Sequence, residues 1–325
     1  MKNLSNFKLS FLQNKIVVMI GFGSQGSAWA LNLKDSGFNI KIALQDGSKS
    51  KQKVLDAGFE VLSLEEGIKT ADVVMMLIPD ENHGEFFTQY IKPNLKKGAA
   101  IIVAHGFSFH FNFVNDYKNY NIGMIAPKAV GKAVRSHFIE KKPLFSLTAK
   151  FWEVDNNLTS ILDEIAMGIG SKMVLETTFK EECESDLFGE QAVLCGGVVS
   201  LFKNAFDVMV EEGFSPFVAY YECIHELKLI VDLIYEKGVN DMFSSISNTA
   251  KFGGLKTGDF LINEDVKTKM KEVLTNIQNG SFAKSFMNEA LIKNYQFKKE
   301  IEQKYKTSKL NKAGKEVINL FKSNN

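Results

Sequence analysis

The sequence predicts an α/β fold: a doubly wound parallel sheet over residues 1–177, followed by an all-helical domain over residues 178–325. Three observations carry this. Short apolar runs of strand length alternate with helical patterns through the first half. The first run opens into a glycine-rich turn and then a helix. After Thr178 no clear strand-like run remains, and long apolar helical patterns take over.

The first strand is predicted at residues 15–20. It leads into Gly21-Phe22-Gly23-Ser24-Gln25-Gly26, and a helical segment over 28–34 closes at Gly37. Strand, G-x-G-x-x-G and helix in that order form the Rossmann-type dinucleotide fingerprint. Gly21 permits the tight turn, Gly23 lets a pyrophosphate approach the backbone, and Gly26 allows close helix–strand packing. The helix N-terminus faces the phosphates.

The second strand, 39–44, should end at the residue that reads the adenosine ribose. The sequence there is Gln45-Asp46-Gly47-Ser48-Lys49-Ser50. Asp46 suits a free ribose hydroxyl and hence NAD. Ser48, Lys49 and Ser50 suit a 2′-phosphate and hence NADP, so both cofactors stay open. Further strands are predicted at 73–78, 99–104, 122–126, 144–150 and 172–176, with helical segments at 85–91 and 158–167. Doubly wound sheets bind ligands beyond the carboxyl ends of their strands. Asp80, His105 and Lys128 all fall at such ends.

In the second half, residues 184–212, 216–237 and 266–278 read as helices. The first two are apolar around much of their circumference, which predicts burial inside the domain or against a second copy of the chain. Each also carries a carboxylate pair at a spacing of four, Asp186 with Glu190 and Glu222 with Glu226. That spacing stacks both side chains on one helix face. Adjacent carboxylates repel, and beside apolar flanks they need compensation. A hard divalent cation supplies it, so the four together form a candidate pocket for one or two Mg²⁺. The cluster Ser244-Ser245-Ile246-Ser247-Asn248 reads as a capping or turn segment.

Composition narrows the class. The net charge of +1 argues against nucleic acid or anionic membrane as a partner. Cys183, Cys195 and Cys223 match no metal knuckle and give no disulfide framework, and are expected to be small core residues in a reducing compartment. The first fifteen residues lack a signal-peptide core, and no uninterrupted apolar run reaches the roughly 18 residues of a span. The expectation is a cytoplasmic protein with no membrane. The Lys-rich stretch 298–315 reads as a solvated helix face.

With these pieces placed, the chain resembles ketol-acid reductoisomerase of the short form, over residues 12–321. The likeness rests on GFGSQG (21–26), PDE (79–81), AHGF (104–107), MIAPK (124–128), VRS (134–136) and ETTFK (176–180). It rests most on SDLFGEQAVLCGG (185–197) and YECIHELKLIVDLIY (221–235), with SISNTA (245–250). The resemblance implies a nucleotide-binding half joined to a knotted helical half that pairs with another subunit, as a homodimer or larger assembly. It implies Mg²⁺-dependent alkyl migration in 2-acetolactate or 2-aceto-2-hydroxybutyrate, then reduction by NADPH. Both substrates are small 2-hydroxy-3-keto acids, and the products belong to valine and isoleucine biosynthesis.

Carried over residue by residue, the resemblance makes Asp186 the bridge between two metal ions and Glu190 a second ligand. Glu222 and Glu226 come from the partner subunit. Ser247 is the contact to the substrate carboxylate, Lys128 lies beside the metal waters, and His105 sits where cofactor meets substrate. Phe22, Gly23, Ser24 and Gln25, then Asp80, Glu81, Asn82 and His83, and Gly131 match cofactor-contacting stretches. The chain also departs from the family. Ser27 stands where members usually carry His, and Gln45-Asp46 where they carry Arg-Lys or Arg-Glu. Residues 129–133, 141–143 and 249–253 differ as well. Losing the arginine removes a phosphate-binding group and opens NADH use through Asp46. The altered loops also suggest an alternative, a catalytically impaired paralogue that binds nucleotide as a sensor or subunit partner.

Overall fold

The computed structural model describes residues 1–4 and 8–323. Residues 5–7 and 324–325, within the two predicted domains, lie outside the described residues. The chain forms two compact units, Met1–Ser185 and Asp186–Asn325. The division falls inside the helix Phe179–Gly189, later than the change of pattern at 177–178. The reason is packing: Phe179, Glu182 and Cys183 near the start of this helix are buried in the first unit.

The first unit is built on a nine-stranded sheet. Its strands are β1 (Lys2–Asn3), β2 (Ile16–Ile20), β3 (Asn39–Ala43), β4 (Val61–Leu62), β5 (Val73–Met76), β6 (Ala100–Val103), β7 (Asn121–Pro127), β8 (Leu144–Trp152) and β9 (Ser171–Glu176). Their spatial order is β1-β9-β8-β7-β6-β5-β2-β3-β4. The central strands are apolar on both faces because helices cover both. In β2, Val17 and Met19 enter the core on one face with Trp29, Leu33 and Ile165. Val18 and Ile20 enter the core on the other with Ile68, Phe87 and Phe109. All seven predicted strands are present. The two that were not predicted, β1 and β4, have two residues each, too few for a periodicity.

The sheet is parallel from β4 to β7, as the alternation implies. It is not parallel throughout, since β8 runs antiparallel to β7 and β1 antiparallel to β9. The helix between β7 and β8, Gly131–Ile139, packs against the helix Ser24–Asp35 instead of crossing the sheet. The chain therefore re-enters at the end where it left, and Lys128 N donates to Phe145 O at 3.1 Å.

The entry to β2 is held by one buried carboxylate. Glu164, on the helix Leu158–Gly168, is 1% exposed. It accepts from the backbone N–H groups of Ser10, Phe11 and Leu12 at 3.1, 2.7 and 2.8 Å.

The second unit is helical. Its described core is small: Phe206, Ala219 and Ala313, with Met209, Val210, Tyr220 and Leu310 packed around it. The Lys-rich tail contributes to it. Lys309–Ser323 is a helix that buries Ala313 and Val317, so one of its faces docks rather than being wholly solvated. The predicted helices 184–212 and 216–237 are each interrupted by a π turn, at Glu190–Leu194 and Tyr221–His225. With the π turn included, residues 179–211 form a run of 33 residues, long and apolar enough to cross a membrane by length and composition. Only 6% of its apolar window is buried. A helix that seeks a protein partner has the same composition. Cys183 is buried as expected, Cys223 is half-buried, and Cys195 is exposed, contrary to the core expectation.

Replacing Glu164 by Leu leaves three backbone N–H groups without their acceptor. It should lower unfolding stability by about 3 kcal/mol, measured by urea denaturation. A loss below about 1 kcal/mol would mean that water replaces the carboxylate.

Candidate active site

The glycine loop has the geometry that its sequence requires. Gly21 has φ of +88°, in the left-handed region open to glycine. A Cβ on Gly26 would lie 2.8 Å from Gly21 O, so only hydrogen lets the helix sit this close to the turn. A Cβ on Gly23 would meet nothing within 4 Å, which leaves open space above the start of the helix Ser24–Asp35. Backbone N–H groups and open space at a helix N-terminus fit a pyrophosphate.

The side chains of this loop are mostly turned to the protein. Phe22 is 8% exposed and packs edge-on to Phe59, so its ring belongs to the core. Gln25 donates to Ala129 O at 3.0 Å and accepts from Trp29 Nε1 at 3.0 Å. Ser27 folds its hydroxyl back onto Gly23 O at 2.7 Å. Gly131 packs against Ser24, where a Cβ would come within 2.2 Å of Ser24 O.

Beside the loop lies a cleft of about 420 Å³ at the carboxyl ends of β2, β3 and β5. Gly21, Gln45 and Ser48 line one side, and Pro79, Asn82, Glu85 and Phe86 the other. Asp46 is exposed beside it, and Ser50 N donates to Ser48 Oγ at 3.3 Å. Asp80 and Glu81 begin the short turn after Pro79. His83, expected among the cofactor contacts, has an imidazole committed elsewhere. It is 2% exposed, with Nδ1 2.7 Å from Ser108 Oγ and Nε2 3.0 Å from Ile78 O. Burial holds its pKa below the ordinary histidine value.

The ends of β6 and β7 meet at a carboxylate that sequence reasoning missed. Glu182 is 1% exposed. It accepts from Lys128 Nζ at 2.9 Å and from His105 Nδ1 at 3.1 Å. The other ring nitrogen of His105 lies 3.8 Å from Cys183 Sγ. The helix carrying Glu182 is capped by Thr178, whose hydroxyl accepts from Glu181 N at 3.0 Å. It approaches the rim closely because residue 106 is glycine: a Cβ there would lie 3.1 Å from Phe179 O.

Burial pushes the Glu182 carboxyl up, but the bond and charge of His105 and the Lys128 ammonium more than offset it. Its pKa falls below the usual range. Burial likewise works against a charged His105. The contacts to Cys183 and Glu182, with the Asp80 charge, overcome it and hold the imidazole well above the ordinary value. The rim therefore favours the charged forms of His105 and Glu182, with Lys128 bonded to the same carboxylate. A signal was present in the sequence, since Glu182, Asp186 and Glu190 share the spacing of four that singled out the last two.

Asp186 and Glu190 follow on the same helical run, both partly exposed, and Glu190 opens the first π turn. Glu222 lies in the second π turn and Glu226 directly after it, and both are exposed. The sequence pairs thus each meet a π turn, a feature frequent at functional sites. Ser247 is the N-cap of the helix Asn248–Leu261, accepting from Ala250 N at 3.2 Å.

Comparison with known proteins decides the family. Residues 11–174 match the acetohydroxy acid isomeroreductase, NADPH-binding domain, and residues 179–323 the ketol-acid reductoisomerase, C-terminal domain. This chain belongs to the ketol-acid reductoisomerase family. It is similar to an NADH-preferring ketol-acid reductoisomerase from an uncultured archaeon, with 36% identity, 96% of each chain covered and a TM-score of 0.92. Likeness of fold alone extends to a semialdehyde dehydrogenase NAD-binding protein from Cupriavidus necator, at 16% identity and TM-score 0.64 over 82% of this chain and 99% of that one. It extends also to pyrroline carboxylate reductase from Plasmodium falciparum, at 16% identity and TM-score 0.52 over 82% and 98%. As a ketol-acid reductoisomerase the chain is a nicotinamide-dependent oxidoreductase of branched-chain amino acid biosynthesis.

The charged rim makes a pH prediction. The raised pKa of His105 adds stability that is complete below its unfolded value of about 6.5 and fades as pH rises through the folded value. The lowered pKa of Glu182 adds stability present above 4.5 and lost as pH falls through the folded value. Glu182→Gln should therefore cost most between about pH 4.5 and 6.5, by roughly 2–3 kcal/mol, with the gap narrowing above. Denaturation of both proteins across pH measures it. A pH-independent gap would show that the rim is not ionised as described.

Proposed function

We propose that this ketol-acid reductoisomerase is catalytically active, requires Mg²⁺, uses NADH in preference to NADPH, and completes each active site with a second copy of the chain. Its substrates are 2-acetolactate and 2-aceto-2-hydroxybutyrate. The observation that carries this reading is the Lys128–Glu182–His105 network at the strand ends, on the helical run that bears Asp186 and Glu190.

The donor set fits the metal. Asp186, Glu190, Glu222 and Glu226 offer hard carboxylate oxygens, which suit Mg²⁺ rather than a thiophilic ion. Beside Glu190, Gln191 Nε2 is buried without a partner among the described residues, a polar atom that a ligand or its water would satisfy. Bound there, Mg²⁺ supplies the Lewis acidity that favours the ionised hydroxyl and polarises the ketone for the alkyl shift. The open space above Gly23 fits the nicotinamide cofactor, whose reduced ring supplies the hydride. Exposure of Glu222 and Glu226, together with Leu194, Leu229 and Tyr235 at 66%, 51% and 83%, supports a covering second copy.

The protein groups then divide the proton work. The alkyl shift takes a proton from the substrate hydroxyl and places one on the former ketone oxygen, with no net change, and the reduction draws one further proton from solvent for the new alcohol. Lys128, its side chain 39% exposed, carries a mobile proton at the rim. Glu182 is too deeply buried to reach substrate and acts as a positioning residue that aims Lys128 and His105. The contacts of His105 to Glu182 and Cys183 support an electrostatic role for its charge. Gln45 in place of arginine, with Asp46 beside it, supports NADH, and Ser247 remains the proposed substrate contact.

Purified protein with 2-acetolactate and Mg²⁺ should oxidise NADH faster than NADPH, and EDTA should abolish both rates. Folded protein that binds nucleotide without turnover would favour the impaired paralogue. Asp186→Asn should lower kcat by about a thousandfold with the Kd for NADH unchanged. Retained Mg²⁺-dependent turnover in that variant would remove Asp186 from the metal set.

A further inference from the structure

We propose that Glu85 is a specificity-determining residue at the adenosine end of the nicotinamide site, where its carboxylate repels a 2′-phosphate. The inference deepens the NADH preference proposed above, and rests on that reading only for the location of the cofactor.

The cleft beside the glycine loop lies where a doubly wound sheet binds the adenosine half of a dinucleotide. Its described lining is apolar or neutral except for one residue. Glu85 is the only charged side chain, and no lysine or arginine lines the cleft. A 2′-phosphate brings close to two negative charges and requires cationic partners. Gln45 and Ser48 across the cleft supply neutral hydrogen-bonding groups, enough for ribose hydroxyls.

Glu85 is also held in place. Its Oε1 accepts from Gln89 Nε2 at 2.7 Å, one helical turn on, and Gln89 lines the same cleft. Among the described residues no cation pairs with Glu85, so its charge is not neutralised locally. Glu85, Asp46 and Lys49 are all exposed, but of the three only Glu85 belongs to the described lining of the cleft. The choice made inside the cleft therefore falls to Glu85, while the loop after β3 acts at its mouth.

Isothermal titration of the full chain with NADH, NADPH, ADP-ribose and its 2′-phosphate tests this without turnover. Glu85→Gln should tighten NADPH and the 2′-phosphorylated fragment by about tenfold while NADH and ADP-ribose change less than about twofold. The gain should shrink as salt rises, and Glu85→Lys should exceed it. An unchanged ratio of the two affinities in Glu85→Gln overturns the proposal. So does a parallel loss of all four ligands, which would mean that Glu85 acts only by holding Gln89. The wild-type ratio reports separately on NADH preference. If wild type favours NADPH and Glu85→Gln favours it tenfold more, that preference fails and the role of Glu85 stands.

Discussion

The rim at the ends of β6 and β7 is organised by one buried carboxylate. Glu182 has almost no access to water, and an isolated charge in that position would be prohibitively unstable. Two cations make it tolerable, and they come from different strands: His105 follows β6 and Lys128 follows β7. The cost of an unpaired buried charge therefore fixes the helix start against both strand ends. Gly106 removes the atom that would keep the helix away, and Thr178 caps its first turn.

Much of this was legible in the chain. Every strand long enough to show an apolar run was found, because burial on both faces leaves no polar positions to blur the pattern. The glycine turn was legible because each glycine answers a separate steric demand. What escaped has physical reasons. β1 and β4 are too short to show a period. The direction of β8 follows from how the Gly131–Ile139 helix packs, which pattern does not record. The π turns look like continuous helix in sequence, since one extra residue in a turn leaves the composition unaltered. Glu182 was passed over because it reads as one acid in the run Lys180 to Glu184. Only the fold reveals that this acid, unlike Glu181, points inward.

Side-chain roles were harder to read than positions. Phe22, Gln25 and His83 stand in stretches matched to the cofactor, yet their side chains support the scaffold: a core ring, a bridge to Ala129, and a buried imidazole tied to Ser108 and Ile78. In such a loop the backbone makes the phosphate site, and the side chains hold that backbone. The second unit shows the opposite case. Its described core is slight and many of its large apolar side chains are exposed, so an apolar pattern there does not mark a buried position.

The two edges of the sheet limit how copies can meet. Both edge strands, β1 and β4, contain two residues. A strand from another molecule would find room for scarcely one pair of ladder hydrogen bonds before the backbone turns away. Growth of the sheet from molecule to molecule, the common route to fibres, is blocked at both sides. Any contact between copies is thereby left to surfaces other than the sheet edges.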